Sequence, residues 1–455
     1  MAESLTVYTE RLQDLARDLG LDWYPVEFEV VPPSFMMEVA VYGLPVRMPH
    51  WSFGVRYVYQ LVQHRMGHSR IFEVVFPGNP GHAYLANNNS LTENTLVVAH
   101  VLGHADFARN NALFRRCQEQ VGQHVVEQAA ERARRIEQAI EAHGRERVEA
   151  VLDAALALEH HVDVDQALAR APYPTCAPRQ RETPPPDPFR SRFGHLPGTI
   201  PPKAEPDLIA PRCPPRPEYD LLWFIARYAP ELEDWARDIF LAVREESFYF
   251  YPVFACNVMN EGWASYWHAR LLREARFLSE EIYLDAMKAH SDVVRPVAGD
   301  QQVALQLNPY HLGFSIWDRI VEAHGLETAR RIMGEEDDFG FVRNYLDDEL
   351  AEELGLFTFV ARADGEIKVA GRDIRQVREA ILSPRFNFGA PRVAVSELQR
   401  DGTLVLRHDH ATDGRGLDLD RARKVLEYVH RVWQRPVRIF TVDGRGQEIA
   451  VERSA

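Results

Sequence analysis

The sequence predicts a mainly α N-terminal body, with some short strands, followed by a small α+β C-terminal domain. Three observations carry this reading. Apolar residues recur at helical spacing through most of the first 356 residues, prolines crowd residues 172–218, and after about 356 the texture changes to short alternating runs bounded by turn residues. The implied divisions are 1–171 and 219–356 as two parts of one helical body, 172–218 as a proline-rich connector, and 357–455 as the C-terminal domain.

Taken in order, residues 3–19 form the first helix, ending before Gly20, and VEFEVVP then runs as a strand until Pro32 and Pro33 break it. NNNSLTEN places Ser90 as a helix cap and Glu93 three residues later as its reciprocal partner. AHVLGHADFARNN, residues 99–111, therefore lies about three turns into that helix. Residues 112–163 read as two helices with a stop at Gly144. PHWSFGVRYVYQL has aromatic spacing that suits a buried core or a substrate platform. In the connector, proline removes backbone donors and fixes φ, so regular structure is not expected. FTFVARADGEIKVAG and VRIFTVDGRGQEIAVE read as hairpins, the second with DG in its turn, and LDRARKVLEYVHRVW reads as a helix.

Composition narrows the function classes. A net charge of −15 argues against nonspecific binding to nucleic acid or anionic membranes, which depends on a positive footprint. No segment approaches 18 consecutive apolar residues, so no membrane insertion is expected, and the reading is a cytoplasmic protein. Cys117, Cys176, Cys213 and Cys256 form no CxxC pair, which fits a reducing compartment without a disulfide framework. Cys176 and Cys213 flank the proline-rich stretch and could meet in space, but no bridge or metal site is expected of them.

His100 and His104 stand four apart on one helical face, about 6 Å along the axis, where both can reach one ion. This is the ligand half of the zinc-peptidase pattern H-E-x-x-H, but Val101 occupies the place of the general base. A third ligand comes from MNEGWASYWH. There Glu261 is an acid among Trp263, Tyr266 and Trp267, and burying it requires a cation. His268 lies about 10.5 Å further along the same helix, so it belongs behind the ligands or at a second ion. Asp106 faces away from the histidine pair and suits a role in orienting a neighbouring element. Glu245, Glu246 and Glu159 remain as acids able to supply a base, against the plainer reading that they are solvated or salt-bridged.

These residues resemble the stage V sporulation protein R (SpoVR) family. GLDWYPVEFEVVP, YGLPVRMPHWSFG, NPGHAYLANNNSL, AHVLGHADFARNN, PELEDWARDIFLAVREESFYFYP, MNEGWASYWH and NPYHLGFSIWDRI follow its N-terminal region in order, and LVLRHDH with the closing hairpin resembles its small C-terminal domain. The resemblance implies a cytoplasmic, mainly helical protein linked to spore coat or cortex formation, or to envelope or stress physiology. The EHHVD stretch departs from the family pattern and weakens the case for Glu159. The site also resembles that of helical metallopeptidases combining HExGH with a later EGWA-like helix.

The expectation is a divalent-metal protein of hydrolase type acting on amide or peptide bonds. His100, His104 and Glu261 would hold zinc, Glu245 or Glu246 would act as base, and the substrate would be peptide-like. Two rivals stand beside it. One is a nonenzymatic regulatory or assembly protein with a remnant or structural site. The other is an iron or manganese oxidoreductase, since two histidines and a carboxylate also make the facial triad of non-haem iron enzymes. Protein partners are not legible.

Overall fold

The computed structural model describes residues 4–65, 73–176, 212–294, 308–361 and 367–454. Most of the proline-rich connector, 177–211, and the turn of the first C-terminal hairpin, 362–366, lie outside these.

Helical periodicity at the N-terminus yields α1, Leu5–Asp18, which buries Tyr8, Leu12 and Ala16, and strand β1, Val26–Val31, follows. Helix α2, Pro33–Tyr42, begins on a proline, whose missing N–H is harmless in a first turn, and stops at Gly43 in the left-handed region. Next come α3 (Trp51–Arg65), β2 (Glu73–Phe76) and β3 (Gly81–Ala86). Strand β3 is the centre of a three-stranded sheet. It runs parallel to β1, with Val26 opposite Gly81, and antiparallel to β2, with Glu73 opposite Leu85.

The capping box at Ser90 forms in full. Ser90 Oγ accepts from Glu93 N at 3.1 Å, and Glu93 Oε2 accepts from Ser90 N at 2.7 Å, so two of the orphan donors at the start of α4, Leu91–Asn110, are satisfied. Three helices follow: α5 (Ala112–Val121), α6 (Val125–His143) and α7 (Arg145–Ala157), the last two separated at Gly144. Beyond the connector come α8 (Leu221–Tyr228), α9 (Asp234–Ala255), α10 (Asn257–Glu274), α11 (Glu280–Val293) and α12 (Pro309–Glu335). Two short helices, α13 (Asp338–Tyr345) and α14 (Asp348–Glu353), end the body.

Helices α4, α10 and α12 approach at backbone distance because small residues line their crossings. A Cβ added at Gly103 of α4 would lie 2.6 Å from Ala264 Cα of α10, and one added at Gly262 would overlap the backbone of Gly313 on α12. Gly103 sits between the two histidines and Gly262 follows Glu261, so these contacts set how close the candidate ligands come. Trp263, Trp267 and Trp317 seal the crossing, with ring centroids 4.9 Å apart for Trp263–Trp317 and 5.8 Å for Trp263–Trp267. Such aromatic pairs contribute roughly 0.5–1.5 kcal/mol each beyond their buried area.

The C-terminal region contains a hairpin of β4 (Thr358–Ala361) and β5 (Ile367–Gly371), then α15 (Ile374–Leu382). A four-stranded sheet follows, built from β6 (Val393–Leu398), β7 (Leu404–His408), β8 (Val437–Val442) and β9 (Glu448–Arg453) in that spatial order. The helices α16 (His410–Asp413) and α17 (Leu419–Trp433) connect β7 to β8. Strands β7 and β8 run parallel, as such a crossover requires, and β8–β9 is the expected hairpin. Its apolar side is continuous with the helical body, since Leu426, Val429 and Trp433 share one core with Leu222 and Phe224.

One expectation is corrected. Cys176 and Cys213 form a disulfide. The segment before α8 pairs with β6, where Leu398 N donates to Cys213 O and Glu218 and Val395 exchange backbone hydrogen bonds, and this brings Cys213 to Cys176 with the Cα atoms 5.1 Å apart. Cys117 and Cys256 are free and buried. None of the described helices is long and apolar enough to cross a membrane.

Candidate metal centre

The structure brings His100, His104 and Glu261 together although the histidines and the acid are about 160 residues apart in the chain. Helix α4 presents both imidazoles toward α10, and one ligand atom from each residue lies within 4.8 Å of the others. Glu261 Oε2 is 3.6 Å from His100 Nε2 and 3.5 Å from His104 Nε2. The T-shaped packing of the two rings, with centroids 4.5 Å apart, holds both Nε2 atoms on one side. Val101 is fully buried in the apolar core and contributes nothing to this donor set.

The opposite nitrogens are tied down. His104 Nδ1 lies 2.9 Å from Asn260 Oδ1, and an amide oxygen only accepts, so Nδ1 carries the proton and Nε2 presents a lone pair. His100 Nδ1 lies 2.9 Å from His268 Nδ1, and His268 Nε2 lies 2.6 Å from His290 Nδ1. If His100 Nε2 is a ligand, its Nδ1–H must donate to His268, which then donates through Nε2–H to His290. One tautomer thus propagates through three rings. Burial, reinforced by the neighbouring imidazoles, pushes the His268 pKa well down, and His290 is pushed down to about 4, so both are neutral as this chain requires.

His100 Nε2 and Glu261 Oε2 are both buried and make no close hydrogen bond; they face each other at 3.6 Å, with His104 Nε2 3.5 Å from the same oxygen. Buried atoms without a close partner are costly, and two of them aimed at one point fit an ion held between them. The three groups also interact electrostatically. Burial works to raise the Glu261 carboxyl, but His104 and His100 overcome it and hold the group well below the usual carboxylate range. Burial works to lower His104, and Glu261 overcomes it and raises it.

Two further groups reach the site from elsewhere. Glu73, at the first position of β2, is raised by desolvation and feels the charges of His100, Glu261 and His104. The Tyr310 hydroxyl, in the first turn of α12, is raised well above its ordinary value by the Glu261 charge and then by burial, and its ring stacks 6.0 Å from that of His100. Neither was singled out from sequence. Tyr310 lies inside the NPYHLGF motif, which was a usable signal, whereas Glu73 opens an ordinary apolar strand and gave none.

The remaining sequence candidates are engaged elsewhere. Glu246 Oε2 takes Arg47 Nε at 2.7 Å, and Arg47 Nη2 reaches Glu159 Oε2 at 3.4 Å. Glu245 Oε2 pairs with Arg132 at 3.1 Å. Asp106 turns its back on the histidines and is fully buried. One of its oxygens accepts from Asp22 N at 2.8 Å, and the other from Trp263 Nε1 at 2.9 Å, which fixes α10 against α4. Burial raises its pKa to about 6.

Comparison with known proteins agrees with the motif order. Residues 1–389 match the family model described as SpoVR like protein, and residues 392–444 match the SpoVR-like C-terminal domain. An uncharacterized protein of Escherichia coli (strain K12), YcgB, is 30% identical over 94% of this chain and 90% of its own length. No solved structure matches the chain.

Proposed function

The chain belongs to the SpoVR family, and on that premise we propose that it is a divalent-metal-dependent hydrolase of amide or peptide bonds, with a core resembling that of helical metallopeptidases. The ligands are His100, His104 and Glu261, and zinc is the ion that best suits two imidazoles and one carboxylate with a position left open. The observation that carries this reading is the convergence of one ligand atom each from His100, His104 and Glu261 within 4.8 Å of one another.

A bound divalent ion supplies Lewis acidity and a water that ionises near neutral pH. Everything else falls to the chain. Glu73 stands in for the acid missing at Val101: desolvation raises its pKa toward the range where a carboxylate takes up and returns a proton efficiently. Glu245 and Glu246 are poorer bases because arginines already neutralise them. The Tyr310 hydroxyl donates a hydrogen bond to an oxygen that gains charge beside Glu261. Asn260 and His268 hold the two ligand imidazoles in the tautomers that face the ion. The family resemblance supports a setting in sporulation, cell-envelope or stress physiology.

Cleavage of fluorescein-labelled casein by protein loaded with zinc tests this. Glu73→Gln should keep the metal and lose roughly 10²–10⁴ of the rate, the usual contribution of a general base. A Glu73→Gln protein as active as the parent, with Glu246→Gln inactive, would return the base to Glu246. A metal-loaded parent that cleaves nothing favours the nonenzymatic reading.

A further inference from the structure

Outside the metal centre, the PHWSFG stretch joins a hydroxyl, an imidazole and a carboxylate in series. Ser52 Oγ lies 2.7 Å from His50 Nδ1, and His50 Nε2 lies 3.0 Å from Asp153 Oδ1, which α7 brings from 103 residues away to the start of α3. A carboxylate only accepts, so Nε2 carries the proton and Nδ1 turns its lone pair to the Ser52 hydroxyl. The ring is held in place. Its side chain is 3% exposed, it packs 5.3 Å from Trp51 and 5.9 Å from Phe53, and Trp51 Nε1 donates to the same Asp153 oxygen at 2.9 Å. Capping of α3 accounts for one further bond, from Ser52 N to His50 Nδ1 at 3.3 Å. A cap needs an acceptor, and it does not need that acceptor to be a buried imidazole steered by a carboxylate of another helix.

We propose that Ser52 is the nucleophile of a second hydrolytic site, with His50 as its base and Asp153 as the positioning residue, acting on carboxylic esters with a small apolar acyl group. The proposal is independent of the metal site. Ser52 Oγ bonds to the ester carbonyl carbon while its proton passes to His50 Nδ1, and the carbonyl then expels the alcohol, which leaves with that proton. Water attacks the acyl-serine by the same route, its proton passing through His50 to Ser52 Oγ, and a carboxylic acid departs. Which imidazole nitrogen faces the hydroxyl is immaterial, since the base needs only a bare nitrogen there and a fixed proton on the other. The surroundings select the substrate. Ser52 is half-buried and stands on α3 between exposed Arg56, about 40° round the helix on one side, and exposed Tyr59 and Val55, about 20° and 60° round on the other. Tyr59 and Val55 offer an apolar rest for the acyl chain. Arg56, one turn beyond Ser52, has no acidic partner among the described residues. Its guanidinium and the N-terminal end of α3 both favour the negative oxygen of the tetrahedral intermediate. An alkoxide leaves more readily than an amine, so a site with these few stabilising groups suits esters rather than amides.

Labelling of the full chain with a fluorophosphonate, which bonds covalently to activated serines, tests this alongside hydrolysis of p-nitrophenyl butyrate, both in the presence of EDTA. The parent should take up one label on Ser52 and hydrolyse the ester. Ser52→Ala should abolish the first and slow the second by roughly 10²-fold or more. Asp153→Asn should lower kcat by roughly 10²–10⁴ and leave KM within about twofold, a split that a merely structural carboxylate would not give. Ser52→Cys preserves the size of the side chain and should keep the parent's melting temperature while losing the label, which separates loss of the nucleophile from loss of the fold. A parent that takes no label at Ser52, or whose esterase activity survives Ser52→Ala, overturns the proposal. Hydrolysis that EDTA abolishes belongs to the metal centre and overturns it equally.

Discussion

Two regions of the molecule bury carboxylates, and they do so in opposite ways. Around Arg47, the acids Glu246 and Glu159 meet a guanidinium held deep in the protein, and the pKa of Arg47 is raised because those charges outweigh its desolvation. Around α4 and α10, Glu261 meets two imidazoles at longer range, and ligand atoms from all three residues converge within 4.8 Å of one another. A charge neutralised inside the chain is a structural element. A donor set that converges on one point is a candidate binding site. The difference explains why the sequence candidates Glu245, Glu246 and Glu159 group with the first region, and Glu261 with the second.

Removing the arginine breaks the comparison on its structural side. Arg47→Met leaves Glu246, 2% exposed, without its cation, and should cost about 3–5 kcal/mol in urea unfolding while leaving metal affinity unchanged. On the other side, His104→Ala should weaken metal binding by roughly 10²–10³, the share of one ligand in a typical zinc site of about 10–16 kcal/mol. The folded protein should stay folded, because the change removes only the ring contact with His100 and the hydrogen bond to Asn260. Chelator competition measures it. A His104→Ala protein that binds metal as tightly as the parent would move the site elsewhere.

The effect of His268→Ala should be smaller, a loss of about 10–100-fold in metal affinity, because His268 acts only by holding the proton on His100 Nδ1. His268→Gln, whose side-chain oxygen can accept that proton's hydrogen bond, should recover part of the loss. Smallest of all, Val101→Ala should leave metal affinity within about twofold and cost only packing energy, since Val101 lies in the apolar core.

What was legible in the sequence was local. The capping box at Ser90 and Glu93 is a four-residue pattern whose bonds form within one turn, so it fixed the phase of α4 and with it the common face of His100 and His104. Glu261 was legible because an acid in an aromatic helix demands a cation whatever surrounds it. Glu73 was not, because it arrives from a separate element and no local rule links β2 to the histidines; for Tyr310 the NPYHLGF motif marked the segment, but nothing local tied α12 to the site. The Cys176–Cys213 bridge was hidden for the same reason: it closes 37 residues of chain and depends on the distant pairing of Glu218 with Val395 of β6, which spacing alone does not reveal. On α3, aromatic spacing suggested core or platform, but only the packing distinguishes its covered side from the bare one.

The central claim is that His100, His104 and Glu261 hold one divalent ion. Elemental analysis of protein purified without added metal, or after equilibration with zinc and gel filtration, tests it most directly. About one equivalent per chain is expected in the parent and in Glu73→Gln, with zinc favoured over iron and manganese, and well below that in His104→Ala. A parent that neither carries nor takes up a divalent ion, or a His104→Ala–Glu261→Ala protein that retains a full equivalent, would contradict the account.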